Sequence, residues 1–253
     1  DLNGYTQNNR VGVLTQRPAP VQVNYIGFIG TMGAGFVDYI LADRVVIPEE
    51  DRVHYSEKVV YLPHSFQVND NTKLISDKSP SRDELGLPEH GFVFCCFNNT
   101  YKISPDVFDS WMRLLLKVEN SVLWLSEGNI AASTNLVKEA GRRGVTPDRL
   151  VFAPRRPLPE YLALYRSADL FLDTFHYNAG TTASDALWAG LPVLTCLGRG
   201  FSGRMAASLL EAVGLPELIT RTPAEYESLA LELATNPARL TLLRSRLAAN
   251  RLT

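Results

Sequence analysis

The sequence predicts an α/β protein, most of which is a doubly wound parallel sheet. Two observations carry that class. From about residue 90 onward, short β-branched or aromatic runs alternate with amphipathic stretches whose apolar residues recur every three or four positions. The 253 residues are also 45% hydrophobic and 21% charged, which is enough apolar material for a sizeable core and unlike the composition of disorder.

In chain order, the first 65 residues hold strand-like runs at Val21–Ile26, Arg44–Ile47 and Lys58–Leu62. A glycine-rich segment, Gly27–Gly35, precedes a helix expected around Phe36–Leu41. This is too little for a complete doubly wound domain, so residues 1–65 read as the end of one lobe. Residues 66–90 are polar, with several Asp, Ser, Lys and Pro, and read as an exposed connection between lobes. Residues 91–253 form the second, nearly complete lobe, with strands at Phe92–Phe97, Ser121–Leu125, Arg149–Ala153, Asp169–Asp173 and Pro192–Thr195. Helices are expected between them at Pro105–Val118, Thr134–Arg143, Pro159–Ala168 and Thr181–Ala189. Ser104-Pro105 offers an N-cap and a first-turn proline, and Gly144 and Gly190 sit where helices stop. Helical patterns at Arg204–Val213, Pro223–Thr235 and Ala238–Ala249 close the chain.

With 25 basic and 27 acidic side chains, a net charge of -2 gives no general field for nucleic acid or an acidic membrane, so any phosphate recognition is local. No run of about 18 apolar residues is present. The opening Asp1-Leu2-Asn3-Gly4 has neither initiator methionine nor signal core, as expected of a piece of a longer protein. Three cysteines, two of them adjacent (Cys95 and Cys96), make no disulfide framework or zinc spacing and read as small buried residues in a reducing cytoplasm. Cys196 has no activating base near it in sequence and reads the same way. His54, His64 and His90 have no partner pattern, and Walker, HExxH and GxSxG motifs are absent.

The strongest local signal is the stretch from Leu172 to Val193, in which a strand ends near Asp173, a small-residue loop follows, and a helix opens at Thr181-Thr182. Open α/β sheets bind ligands beyond the carboxyl ends of their strands, where a helix N-terminus offers free N–H groups to an anion. Asp185, one turn in, has two readings that spacing leaves open: a ligand for sugar hydroxyls, or the partner of Thr182 in a capping box. Gly27–Gly35 fails GxGxxG spacing, so a dinucleotide fingerprint is not expected there.

Several blocks together resemble the catalytic region of O-linked N-acetylglucosamine transferases, in the wording of a bacterial homologue. They are Asn3–Thr6 followed by Arg17–Pro20, Gly30–Ala34, Tyr55–Lys58, Asn98–Ile103, Ser121–Leu125 and Asp173–Val193. The resemblance runs in order through essentially the whole chain. It implies a GT-B architecture of two Rossmann-like lobes and inverting transfer of GlcNAc from UDP-GlcNAc to Ser or Thr hydroxyls of a protein acceptor. It implies no metal, and the DxD motif of metal-dependent glycosyltransferases is absent. A tetratricopeptide region, the rest of the N-terminal lobe and the general base would lie upstream of residue 1.

Residue by residue, the resemblance makes Lys102 the essential diphosphate-binding lysine, whose alternative reading is a solvated surface lysine. Asn99 stands where relatives carry a diphosphate-contacting glutamine, and Gly180, Thr181, Thr182 and Asp185 form the nucleotide helix start. Tyr161 stands where some relatives have a histidine that packs on uracil, and tyrosine can stack equally well. Arg156, with Arg155 at the end of a strand, is a candidate for uracil or phosphate, against a plain surface pair. Thr6, Gly30, Thr31 and Gly33 would line the cleft near the sugar, with a tight turn as the alternative for the glycine segment. One departure is plain: relatives place a histidine before the paired threonines, where this chain has Gly180, with His176 four residues earlier. Two other functions therefore remain open, a GT-B transferase using another UDP-sugar or a glycan acceptor, and a nucleotide-sugar-binding scaffold without catalysis.

Overall fold

The structure, a computed structural model, describes residues 1–251; the last two residues of the second predicted lobe lie outside the described residues. Two parallel sheets organise it. The first has three short strands in chain order, β1 (Val23–Asn24), β2 (Tyr39–Ala42) and β3 (Lys58–Tyr61), after a single helical turn α1 (Val11–Leu14). The second has six, β4 (Val93–Cys96), β5 (Val122–Ser126), β6 (Leu150–Ala153), β7 (Leu170–Leu172), β8 (Val193–Cys196) and β9 (Ile219–Thr220), in the order β6-β5-β4-β7-β8-β9. Its helices are α2 (Pro105–Lys117), α3 (Ile130–Arg142), α4 (Leu158–Leu164), α5 (Thr181–Trp188), α6 (Met205–Ala212), α7 (Pro223–Thr235) and α8 (Pro237–Asn250).

Strands in such a sheet are covered on both faces, which is why they are spelled as unbroken apolar runs. All four residues of β4 are buried, and Phe94 and Cys95 pair on one side with Leu123 and Trp124 and on the other with Leu170 and Phe171. α2 packs its apolar face inward through Val107, Phe108, Trp111, Met112, Leu114 and Leu115. Trp111 Nε1 donates to Tyr226 of α7 at 3.2 Å, and the Tyr226 hydroxyl donates in turn to the carbonyl of Asp173 at 3.0 Å. Gly144 and Gly190 lie at positive φ just past α3 and α5, as helix-stopping glycines do. The three cysteines are free and buried. No helix among the described residues is long and apolar enough to cross a membrane.

The first region differs from its sequence reading. Residues expected as a helix around Phe36–Leu41 hold strand β2, because Tyr39 and Ile40 pair with Val23 and Asn24 while the opposite edge takes Lys58–Tyr61. The expected strand Arg44–Ile47 is a turn: the Asp43 carboxylate accepts the N–H groups of Val45 (2.7 Å) and Val46 (2.9 Å) and bends the chain there. The other Asp43 oxygen accepts from Phe66 N–H and Ser208 Oγ, each at 2.5 Å, so one buried side chain ties the turn, residue 66 and α6 together. Phe66 is itself buried, edge-on to Phe201 with centroids 5.2 Å apart, so the polar stretch from residue 66 begins inside a core rather than in solvent. Smaller differences are a third helix that starts at Ile130, capped by Asn129, and a sixth strand, β9, without sequence signal. Ser104 donates its hydroxyl to Asp106 instead of capping α2.

Candidate functional site

β4 lies between β5 and β7, so the connections leaving β4 and β7 turn to opposite faces and open a crevice at their carboxyl ends. Two loops fill it. After β4 come Phe97, Asn98 and Asn99 and a 3-10 turn, Thr100–Lys102. After β7 comes the loop 173–180, which leads into α5.

The second loop is folded around the Asp173 carboxylate, which is fully buried. Its Oδ1 accepts from the N–H groups of Thr174 (2.8 Å) and Ala179 (2.7 Å) and from Asn98 Nδ2 (3.3 Å); its Oδ2 accepts from Thr195 Oγ1 (2.7 Å). Burial pushes this acid up to about 7 even though the N–H and hydroxyl donors and Lys102 pull it down. Asn98, also buried, joins the loops by donating to Thr174 Oγ1 (2.9 Å) and accepting from Thr182 Oγ1 (2.5 Å). Lys102 reaches across from the first loop: its Nζ donates to the Asn178 carbonyl at 2.9 Å and stands 4.0 Å from the Tyr177 ring centroid. It is not a solvated surface lysine. Burial lowers its pKa, opposed by the Asp173 charge.

The structure brings Lys102, Thr182 and Asn98 together, with Gly180 and Thr181 at the start of α5, which no described side chain caps. Asn99 is exposed at the start of the 3-10 turn. A Cβ on Gly180 would lie 3.3 Å from Gln67 Oε1 and 3.5 Å from Met205 Sδ, so a larger residue there requires its neighbours to give way. The capping box does not form. Thr182 turns to Asn98, and the buried Asp185 pairs through Oδ1 with Lys73 Nζ at 2.7 Å. Lys73 belongs to a strap over α5, where Ser184 Oγ donates to Asn69 and Trp188 Nε1 to the Lys73 carbonyl at 3.1 Å.

Tyr161 is half-buried against Phe97 and Tyr165, with its hydroxyl 2.6 Å from that of Tyr165, so its ring is part of an aromatic cluster beside the crevice. Arg156 leans on Glu160 at 3.6 Å while its Nε is buried without a partner. Among the first-region residues, Thr6 donates to the Asn3 carbonyl at 2.8 Å, and Gly30 accepts at its carbonyl from buried Asn24 at 3.1 Å. Thr31 donates to Glu57 Oε2 at 2.6 Å, and Gly33, at φ 59°, follows it as a turn glycine. Sequence reasoning missed Asn98, Lys73, Asn178 and the role of Asp173. Only the polar residue closing an apolar strand, Asp173, carried a local signal.

Known proteins decide the family. The family model described as Glycosyl transferase family 41 matches residues 1–80 and 78–253. The chain belongs to glycosyl transferase family 41. As a family 41 chain it is 40% identical, over all of its length, to an Arabidopsis thaliana protein described as "Probable UDP-N-acetylglucosamine--peptide N-acetylglucosaminyltransferase SEC", of which it spans 26%. A mutant O-GlcNAc transferase of Thermobaculum terrenum superposes on it with a TM-score of 0.83 at 32% identity, covering 94% of this chain and 45% of that one. The HepE protein of Anabaena, solved with UDP and glucose, shares the fold at a TM-score of 0.60 and 18% identity, over 92% of this chain and 66% of its own. The family 41 chain is thus α/β of GT-B type, and its six-stranded sheet has the doubly wound order of a Rossmann-like lobe.

Proposed function

We propose that this chain supplies the nucleotide-binding part of an inverting, metal-independent transferase that moves GlcNAc from UDP-GlcNAc to Ser or Thr hydroxyls of proteins. In this reading residues 1–65 end the N-terminal lobe, 66–90 join the lobes and 91–253 hold UDP. The observation that carries it is the half-buried Lys102 ammonium, held at the carboxyl edge of the sheet beside the uncapped start of α5. Named relatives in family 41 support donor and acceptor class.

The acceptor hydroxyl oxygen attacks the anomeric carbon from the face opposite the diphosphate. As that bond forms, the bond from the anomeric carbon to the diphosphate oxygen breaks, and its electron pair leaves on UDP. The hydroxyl proton passes to a base that this reading expects upstream of residue 1. Lys102 and the first amides of α5 meet the charge growing on the diphosphate, as a divalent ion would elsewhere. Asn99 and Thr182 flank the phosphates, Asp185 faces the ribose through its second oxygen, Tyr161 and Arg156 border the uracil, and Thr6, Gly30, Thr31 and Gly33 lie toward the sugar.

The test is Lys102→Ala in the full-length protein, with UDP, UDP-GlcNAc and UDP-glucose titrated by calorimetry and transfer measured with and without EDTA. Losing one preorganised charge should slow transfer at least about a hundredfold and leave the fold intact. Transfer within about threefold of the parent would remove Lys102 from the site, given what such groups contribute elsewhere. A need for divalent metal would overturn the metal-free mechanism.

A further inference from the structure

Lys102 and Asp173 grip opposite ends of one peptide unit. The Asn178 carbonyl accepts from Lys102 Nζ at 2.9 Å, and the N–H of the same amide, on Ala179, donates to Asp173 Oδ1 at 2.7 Å. The amide dipole therefore lies with its negative end on the ammonium and its positive end on the carboxylate. Asn178 is fully buried, and its own Nδ2 donates to the Thr174 carbonyl at 2.6 Å, so this amide has little freedom to turn. We propose that Asp173 is a positioning residue for the diphosphate site: acting through the Asn178–Ala179 amide, its charge holds Lys102 in place and keeps it an ammonium. This rests on the reading of Lys102 as the diphosphate cation.

Among the described residues no other neighbour supplies that charge. Beside Lys102 stand the Cys96 thiol on β4 and the Tyr177 phenol on the loop, and burial pushes the pKa of both up, so they stay neutral. Around Asp173 the titratable groups are Cys96, Cys196 at the end of β8, Tyr226 on α7 and Lys102, and of these only Lys102 is cationic. A half-buried lysine is pushed toward neutrality by its surroundings, and a nearby opposite charge is what opposes that push.

Asp173→Asn separates charge from shape, since the amide oxygen can still accept from Thr174 and Ala179 and the amide nitrogen can donate to Thr195. In the full-length protein, UDP affinity is measured by calorimetry from about pH 7 to about pH 9; the uracil titrates equally in parent and variant and cancels. The variant should bind within about threefold of the parent near pH 7 and lose its affinity at a lower pH than the parent as pH rises, because a half-buried lysine without its counter-charge gives up its proton sooner. A pH dependence identical to the parent's would overturn the proposal and leave Asp173 a scaffold for the loop. Should Asp173→Asn not fold, Asp173→Ser, which also removes the charge while keeping a hydroxyl that can accept from the loop amides, is read over the same pH range; a pH dependence identical to the parent's would overturn the proposal equally. Lys102→Ala distinguishes the two failures. If it leaves UDP affinity untouched, the site itself is misread; if it weakens binding while Asp173→Asn shows no pH effect, only the coupling fails.

Discussion

The two sheets are built on different terms. In the six-stranded sheet the central strand is buried along its whole length and one continuous core runs from Leu87 to Leu247. In the three-stranded sheet, β3 alternates exposed and half-buried residues, and the cluster beneath joins Ile40, Ala42, Val46, Ile47 and Phe66 to Phe201 and Met205 of the other region. The first region thus completes its core with side chains from the lobe it docks on. Its position is set by few contacts: the Asp43 carboxylate, the Ser65–Ser208 hydroxyl pair at 3.0 Å, and Arg204 donating to the Val45 carbonyl at 2.5 Å. A region held by borrowed apolar surface and a few polar ties should be the less stable of the two.

Core truncation tests that comparison hardest. Phe94→Ala, in the middle of the six-stranded sheet, should cost about 3–5 kcal/mol and abolish the shared thermal transition or lower it steeply. A melt close to the parent's would deny that this sheet sets the stability of the whole. Next in size is Asp43→Ala, which leaves the Phe66 N–H without its acceptor at a cost of about 1–3 kcal/mol for one buried unpaired group. Hydrogen exchange should then quicken at residues 39–42 and 58–61 and stay unchanged at 93–96 and 122–126. Equal quickening everywhere would make the two sheets one cooperative unit.

The smallest effect concerns the strap over α5. Asp185→Gln should weaken UDP binding about tenfold, the loss of one charge-assisted hydrogen bond, and Lys73→Met should leave it within about threefold. Equal losses from the two variants would assign the effect to the Lys73–Asp185 ion pair and withdraw the ribose contact.

The same contrast governs what could be read from sequence. Five strands of the second sheet announced themselves because a strand covered on both faces must be spelled in unbroken apolar residues, as in Val93–Cys96. In the first region, Phe36–Leu41 fits two periods over so short a span, and pairing to Val23 and Lys58, not local propensity, makes Tyr39–Ala42 a strand. At the site, Lys102 and the start of α5 followed from topology. The partners did not: Thr182 finds Asn98 across 84 residues and Asp185 finds Lys73 across 112, distances at which spacing says nothing. The capping box that spacing suggested lost to both.

The strand order also has a temporal side. β4, β5 and β6 are consecutive neighbours, whereas β4 must wait for β7, whose Leu170 pairs with Phe94 from far along the chain. Contacts of such separation carry a large loop-closure cost and form late. Asn98 lies on one side of that seam and Asp173 on the other, so the loops of the crevice cannot assemble before the seam closes. In a chain emerging residue by residue from a ribosome, the crevice would be among the last features acquired, and if it holds UDP as proposed, the first appearance of UDP affinity would date the joining of the two half-sheets.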